Sequence, residues 1–242
     1  MNTKEVKQAY DHTVKHAFGG EYEYHRWHKS PILRAGFAMT KKTIEQLTDS
    51  LRINRAFELG PGAGTWSKLL LGRHQGMRLD AVDISTEMLN LARQNLKHYE
   101  GVTLTEADFL TYQPTSSYDF FFSIRALEYF VDKEPVIQKI SSLLASGGRG
   151  LIITKIPRYA RSALRGRVVS ELHQYQIAPR ELGALLQKAG CADIAVYPAV
   201  LNVPVIVSPL MSRVLYALLG HMRLNMVNAF FAESYAITFT KL

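Results

Sequence analysis

A glycine-rich stretch that contains one acid, residues 57–67, carries the strongest chemical signal in this 242-residue sequence. Glycines occupy every second position from 60 to 64, which allows a tight turn and lets a ligand approach the backbone closely. A dinucleotide-binding fingerprint would place its third glycine at position 65, which is Thr65 here. Glu58 would repel a pyrophosphate and suits a cation. The stretch therefore predicts a strand, a glycine turn and a helix that bind a nucleotide-like ligand carrying positive charge.

A second acid, Asp83, follows Gly64 at the distance typical of a βαβ unit. Residues 78–82 read as a strand, and Asp83 closes it. A carboxylate at this strand end can accept hydrogen bonds from both hydroxyls of a ribose. The alternative role, capping the helix predicted over 86–96, falls more naturally to Ser85. We therefore expect Asp83 to bind a ribose.

The spacing of Glu58 and the three glycines resembles motif I of the class I S-adenosylmethionine (SAM)-dependent methyltransferases. Residues 125–132 resemble a Leu-Glu-His-x-x-Asp segment of the small-molecule and quinone-type members, with Tyr129 in place of the His. The resemblance covers roughly residues 50–200 and the last strand. It implies SAM as cofactor, with Glu58 near its methionine end and Asp108 receiving the adenine amino group. The implied cofactor-binding residues are Glu58, Gly60, Pro61, Gly62, Gly64, Asp83, Ile84, Met88, Asp108, Phe109, Ser123 and Arg125.

The apolar periodicity predicts alternating strands and helices around this site. The first strand is expected to start at residue 57, and the other strands are expected over 78–82, 102–106, 118–124, 149–154, 192–197 and 234–240. Helices are expected over 6–18, 32–51, 66–72, 86–96 and 136–144. Gly147 and Gly148 are expected to end the last of these helices. The resemblance implies an α/β, Rossmann-like, doubly wound seven-stranded sheet whose last strand is antiparallel. We expect one domain over 1–242, made of an N-terminal helical lid (1–50), a SAM-binding core (51–200), an apolar insertion (201–231) and the final strand (232–242).

Aromatic residues of the N-terminal segment are candidates for a wall of the pocket. In the resembling class this segment often folds over cofactor and acceptor. Tyr10, Tyr22, Tyr24 and Trp27 are the candidates, and ordinary packing under a surface helix explains each of them equally well.

The acceptor of the methyl group is not defined by these motifs. An amine acceptor needs only to be neutral, whereas a hydroxyl or carbon acid needs a base. His173, Glu128, Tyr129, His25 and His28 lie in segments expected near the cleft, and His173 is the favoured base. The acceptor classes considered are a small or amphiphilic molecule, RNA or protein; a non-catalytic SAM-binding protein is a further alternative. Nucleic acid is disfavoured because the Asn/Asp-Pro-Pro-aromatic segment of adenine methyltransferases is absent.

The insertion at 201–231 is mostly apolar, but Pro204, Pro209 and Arg213 argue against a transmembrane helix. Three interpretations stay open: a wall around an apolar acceptor, a peripheral membrane contact, or a homodimer contact. Five basic residues precede it within thirteen positions that contain no acid: Lys155, Arg158, Arg161, Arg165 and Arg167. Either a solvated surface or a phosphate contact explains them. Together, the two segments suggest an amphiphilic acceptor with an anionic head.

Composition sets broader limits. The formal charge of +8 fits an anionic partner without identifying one, and the single cysteine, Cys191, excludes an internal disulfide. No ligand spacing for a metal is present in the sequence. The charged N-terminus shows no secretory signal. We therefore expect a cytoplasmic protein without metal, with membrane association as the alternative location, and the resemblance implies a biosynthetic enzyme.

Overall fold

A mixed seven-stranded sheet forms the centre of the computed structural model, which describes residues 3–12, 14, 21–114, 116–157, 175–203 and 208–242. The strands are β1 (Arg55–Leu59), β2 (Arg78–Asp83), β3 (Val102–Glu106), β4 (Tyr118–Ile124), β5 (Leu144–Lys155), β6 (Cys191–Leu201) and β7 (Ala232–Lys241). Their order is β3-β2-β1-β4-β5-β7-β6. The β1–β2, β1–β4, β2–β3 and β4–β5 pairs are parallel, and β7 is antiparallel to β5 and β6. The predicted Rossmann-like sheet with an antiparallel last strand is confirmed.

Helices cover both faces of the sheet. They are α1 (Thr3–His12), α2 (Pro31–Thr48), α3 (Thr65–Arg73), α4 (Thr86–Leu96), α5 (Glu134–Leu143), α6 (Pro179–Lys188), α7 (Pro209–Leu219) and α8 (Met226–Phe231), with a π-helical turn at Tyr24–His28 and a 3-10 turn at Leu127–Tyr129. Ser85 caps α4, because its hydroxyl accepts a bond of 3.1 Å from the Met88 amide. This cap leaves Asp83 available for another role, as expected.

The apolar run of β4 is continuous because both faces of this strand are covered. Phe121 packs with the cluster under α5 and α6, whereas Phe120 and Phe122 pack with the cluster under α2 and α3. All three rings are fully buried. A central parallel strand is covered on both faces, so its side chains need not alternate between apolar and polar.

The predicted helix stop at Gly147 and Gly148 is wrong. These glycines lie inside β5, which starts at Leu144 directly after α5. The register moves from the Tyr118–Leu144 pair to the Phe120–Arg149 pair, so β5 bulges here. Gly147 has φ of +78°, which explains why a glycine is placed at the bulge.

The insertion before β7 forms α7 and α8, apart from residues 204–207, which are outside the described part. The Tyr216 hydroxyl lies 2.6 Å from the Thr43 hydroxyl of α2, and Ser212 donates to the Asn202 side chain over 2.9 Å. These bonds hold α7 against the body of the protein. None of the helices described here has the length and apolar content that crossing a bilayer requires.

Candidate functional site

The glycine turn after β1 is shaped by left-handed backbone angles. Gly60, Gly62 and Gly64 have φ of +70°, +55° and +80°. A Cβ on Gly60 would lie 2.5 Å from the Ala126 Cβ, and one on Gly64 would lie 3.2 Å from the Leu96 side chain. A Cβ on Gly62 would meet nothing within 4 Å. The outer glycines therefore allow the turn to pack against its neighbours, whereas Gly62 faces open space.

Asp83 ties this turn to the start of α4. One carboxylate oxygen accepts from the Gly62 amide and the other from the Ser85 amide, each over 3.0 Å. Burial raises the pKa of Asp83, and these backbone bonds oppose the rise. Each oxygen keeps a lone pair that can accept from a ligand hydroxyl. The geometry is compatible with the predicted ribose contact.

A cleft lies at the carboxyl ends of the parallel strands and encloses about 1070 Å³ of empty space out to its mouth. The predicted cofactor-binding residues that line it are Gly60, Pro61, Gly62, Asp83, Ile84, Met88, Asp108, Phe109 and Arg125. We call it the cofactor cleft. It joins acids suited to ribose and amino groups with apolar side chains suited to the faces of a purine.

Three predicted cofactor-binding residues support the cleft from behind: Glu58, Gly64 and Ser123. The fully buried Glu58 accepts a bond of 2.5 Å from the Ser67 hydroxyl at the start of α3. Burial raises the pKa of Glu58 to about 8. Ser123 donates to the Leu59 carbonyl over 3.0 Å and so fixes β4 to β1. Their direct contact with a cofactor stays a prediction.

The N-terminal segment forms one wall of the cofactor cleft. Tyr10, Tyr22 and Trp27 line it, whereas Tyr24 lies outside with 52% of its surface exposed. The Tyr10 hydroxyl is hydrogen-bonded to the Tyr129 hydroxyl across the cleft. Asp11 accepts a bond of 2.6 Å from the Ser85 hydroxyl, which fastens α1 to the start of α4.

Two charged residues of the lining, Glu23 and Arg26, are missing from the sequence-based expectations. Glu23 accepts from the Thr65 hydroxyl over 2.6 Å, and the Arg26 guanidinium lies 4.9 Å from the centre of the Trp27 ring. The available signal was the alternation of charged and aromatic residues over 21–29. A π-helical turn spans part of that run, so helical spacing did not reveal which side chains face inward.

The structure describes four of the five candidate bases. Glu128 is fully buried and is paired with the Arg125 guanidinium at 2.6 Å, and it also accepts from Thr154 and the Lys155 amide. It lies outside the lining of the cofactor cleft and holds Arg125, and a base role for Glu128 stays a prediction. Arg125 has φ of +64°, an angle unusual for a residue with a side chain.

Tyr129 does line the cofactor cleft, but burial raises its pKa to about 12, so it is protonated at neutral pH. It serves as a wall and a hydrogen-bonding group. His28 packs at 5.1 Å on the Phe37 ring, and His25 lies 4.0 Å from Glu21. His173 is outside the described residues, so its role as a base stays a prediction.

A second cavity adjoins the cofactor cleft and spans about 1060 Å³ of empty space, including its opening to solvent. Arg26, Trp27, Ile124 and Arg125 line both spaces. α2, the ends of β5 and β6 and the start of β7 supply its other walls. The second cavity is thus open to the carboxyl end of β4, the side of the sheet on which open α/β folds bind their ligands.

Charged groups in the second cavity are mainly cationic. Arg26, Arg125 and Lys155 line it together with one acid, Glu233, which lies 4.0 Å from the Lys155 ammonium. Burial and the nearby Arg125 lower the pKa of Lys155. Of the basic run predicted near the ligand, Lys155 is described and lies there; Arg158, Arg161, Arg165 and Arg167 fall outside the described residues.

Comparison with known proteins agrees with this geometry. A family model described as "Methyltransferase domain" matches residues 57–149. The chain is 32% identical over 133 residues to the uncharacterized methyltransferase YdaC of Bacillus subtilis, covering 52% of this chain and 72% of that protein. It is 27% identical over 108 residues to malonyl-[acyl-carrier protein] O-methyltransferase 2 of Ilyobacter polytropus, covering 45% of this chain and 42% of that protein.

The fold is also shared with a solved structure, the N-methyltransferase NodS from Bradyrhizobium japonicum in complex with S-adenosylhomocysteine (SAH). It has 14% sequence identity to this chain and a TM-score of 0.66, and the match covers 98% of each chain. The curated relatives with the strongest matches are spanned over only 34–42% of their length. The acceptors in the names of these relatives therefore describe those proteins and not this chain.

The chain belongs to the class I SAM-dependent methyltransferases, and its cofactor is SAM. The cofactor cleft fits this molecule, because its left-handed Gly62 leaves open space beside the Asp83 carboxylate and Met88 and Phe109 supply apolar walls. When bound, SAM supplies an electrophilic methyl group. In the described ranges no cluster of three His, Cys, Asp or Glu side chains has a geometry that could hold a metal ion.

Proposed function

We propose that this methyltransferase acts on a small-molecule or lipid-like acceptor bound in the second cavity. The observation that carries the proposal is the shared wall of Arg26, Trp27, Ile124 and Arg125 between that cavity and the cofactor cleft. A nucleophile in the second cavity would lie beside the transferable methyl group. Alignment of the two groups is the main work that such an enzyme must do.

The acceptor in this proposal carries an acidic group, and a carboxylate oxygen is the best candidate for the atom that is methylated. Three cations and one acid line the second cavity, and Glu128 pairs with Arg125, so one positive charge is in excess and favours an anion. A carboxylate is already ionised at neutral pH and needs no base, in keeping with the protonated Tyr129 and the ion-paired Glu128. The name of the malonyl-[acyl-carrier protein] relative, an acid O-methyltransferase, gives independent support.

The residues of the chain have distinct tasks in this proposal. Arg125 is held by Glu128 at the junction of the two spaces, where it stabilises the acceptor anion. The aromatic wall of Tyr10, Tyr22 and Trp27 excludes water from the cofactor cleft. The expected cytoplasmic, biosynthetic setting stays a prediction.

The experiment that tests the function uses methyl-labelled SAM and a cell extract. The label is divided among organic-extractable, small water-soluble, nucleic-acid and protein fractions, and each fraction is treated with mild alkali. A carboxylate acceptor yields a methyl ester, from which alkali releases volatile labelled methanol. We expect volatile label from the small-molecule or organic fraction. Alkali-stable label there would reject the carboxylate, label in RNA or on polypeptide side chains would reject the small acceptor, and no transfer would indicate a non-catalytic SAM-binding protein.

A substitution in α2 tests whether the second cavity holds the acceptor. Gly36 lines this cavity, and a Cβ there would meet nothing within 4 Å, so Gly36→Leu would fill empty space. We expect acceptor turnover to fall about tenfold or more, while calorimetry shows an unchanged SAH affinity. The control is Ala38→Leu, because Ala38 is exposed on the same helix. Equal turnover in the two variants would place the acceptor elsewhere.

A further inference from the structure

The insertion presents an unusual apolar surface. Of the thirteen large apolar side chains exposed in the described part of the chain, eight lie between residues 210 and 230. On α7 and α8 the most exposed are Leu210, Val214, Leu218, Met226, Val227 and Phe230, which we call the insertion face. Met226 is 92% exposed and Leu218 63%. Helices of soluble proteins normally turn their apolar side toward the core, so this face calls for a partner.

The insertion face is presented by a firmly held scaffold. Leu210, Val214 and Leu218 follow one another at four-residue spacing on one side of α7. The buried Ser212 and Tyr216 lie on the inward side, where they are hydrogen-bonded to Asn202 and Thr43. Polar anchoring therefore fixes α7 with its apolar side outward.

The charges around the insertion face have one sign. Residues 201–232 contain no Asp or Glu, whereas Arg213 and Arg223 are both exposed there. We propose that this face docks on an anionic lipid surface. Apolar side chains would enter the headgroup boundary while the arginines contact lipid phosphates. α7 has eleven residues and a length of about 16 Å, which suits a position in the interface plane.

Lipid fits this surface better than a second copy of the chain. A two-fold symmetric dimer would place the same patch against itself and bring Arg213 and Arg223 of both copies together without an acid from residues 201–232. Anionic lipids would neutralise these charges. The inference is independent of methyl transfer and of the acceptor.

Vesicle flotation tests the docking. We expect the protein to float with phosphatidylcholine vesicles that contain about 30 mol% phosphatidylglycerol, to float less with pure phosphatidylcholine, and to dissociate partly at about 0.5 M salt. The double variant Leu218→Asp/Met226→Asp should bind at least about tenfold more weakly, because it removes apolar insertion and adds repulsion.

The matched control is Val131→Asp, since Val131 is 62% exposed outside the insertion. It should bind vesicles like the original protein. Light scattering over a range of protein concentrations is measured in parallel. Absence of flotation, equal loss in the control, or a dimer that only the double variant dissociates would each overturn the proposal.

Discussion

Glu58 has a carboxyl group that is both buried and close to a second acid. Its carboxyl group is fully buried under the glycine turn and bonded to Ser67, while Asp83, close behind the same turn, adds a second negative charge. Both effects favour the protonated form, and burial is the larger. At neutral pH the group is therefore mostly neutral, and it becomes a carboxylate as the pH rises past its pKa of about 8.

The pKa of Glu58 predicts a pH-dependent stability. The folded pKa of about 8 exceeds the unfolded value, so the folded state binds the extra proton between about pH 4.5 and 8 and stability falls as pH rises through this window. Glu58→Gln keeps an acceptor for Ser67 and removes the titration. We subtract the unfolding free energy of the original protein from that of the variant at each pH. This difference should be more positive at pH 8.5 than at pH 5 by more than about 1 kcal/mol.

Urea unfolding of both proteins at the two pH values measures this effect. Because every other titrating group is common to the pair, only the change in the difference matters. Two parallel pH profiles would show that Glu58 is ionised in the folded protein throughout.

At the scale of elements, the glycine turn provides a matched pair of substitutions. Gly60 and Gly62 both have positive φ, so alanine at either position costs about 1 kcal/mol of backbone strain. Only at Gly60 would the new methyl group lie 2.5 Å from Ala126. We expect Gly60→Ala to lower the unfolding free energy by about 1–3 kcal/mol more than Gly62→Ala does. Denaturant unfolding compares them, and equal losses would mean that the turn moves freely away from Ala126.

The sequence predicted the elements whose bounds depend on nearby residues better than those that depend on pairing with distant strands. The bounds of α4, β3 and β4 match the prediction because caps and apolar runs define them within a few residues. The bulge in β5 arises from pairing with β4, a long-range cause that a glycine pair alone did not reveal. Among site residues, Asp83, the last residue of β2, was predicted from its spacing, and Asp108, just after β3, from the resemblance to the family, whereas Arg26 lies on a π-helical turn with no sequence period.

At the scale of the whole molecule, the N-terminal segment is fastened to the core by a few polar contacts over the cofactor cleft. Tyr10 reaches Tyr129, and Asp11 accepts from the Ser85 hydroxyl at 2.6 Å and from the Glu87 amide at 3.3 Å. Lys7 bonds Thr86 over 2.9 Å and also pairs with Glu106. Most of these partners belong to α4 or the residues just before it. Tyr10 of this contact lines the cofactor cleft, so the contact between α1 and α4 holds one wall of the cleft in place.

The contact predicts faster cofactor release when it is weakened. The double variant Tyr10→Phe/Asp11→Ala removes the hydrogen bonds to Tyr129, Ser85 and Glu87 but keeps the aromatic ring in the wall. Three lost bonds of about 1 kcal/mol each amount to at most about 3 kcal/mol, so we expect SAH to dissociate between about tenfold and a hundredfold faster. Both tryptophans, Trp27 and Trp66, line the cleft, so stopped-flow measurement of their fluorescence can follow release.

The control for this prediction is Gln8→Ala, an exposed position on the same helix. It tests whether any disturbance of α1 is enough to change the rate. If the contact between α1 and α4 gates release, the control keeps the original dissociation rate and the double variant does not, while circular dichroism shows both proteins folded. Equal rates in all three proteins would mean that α1 packs beside the cleft without closing it, and that the aromatic wall retains the cofactor by burial alone.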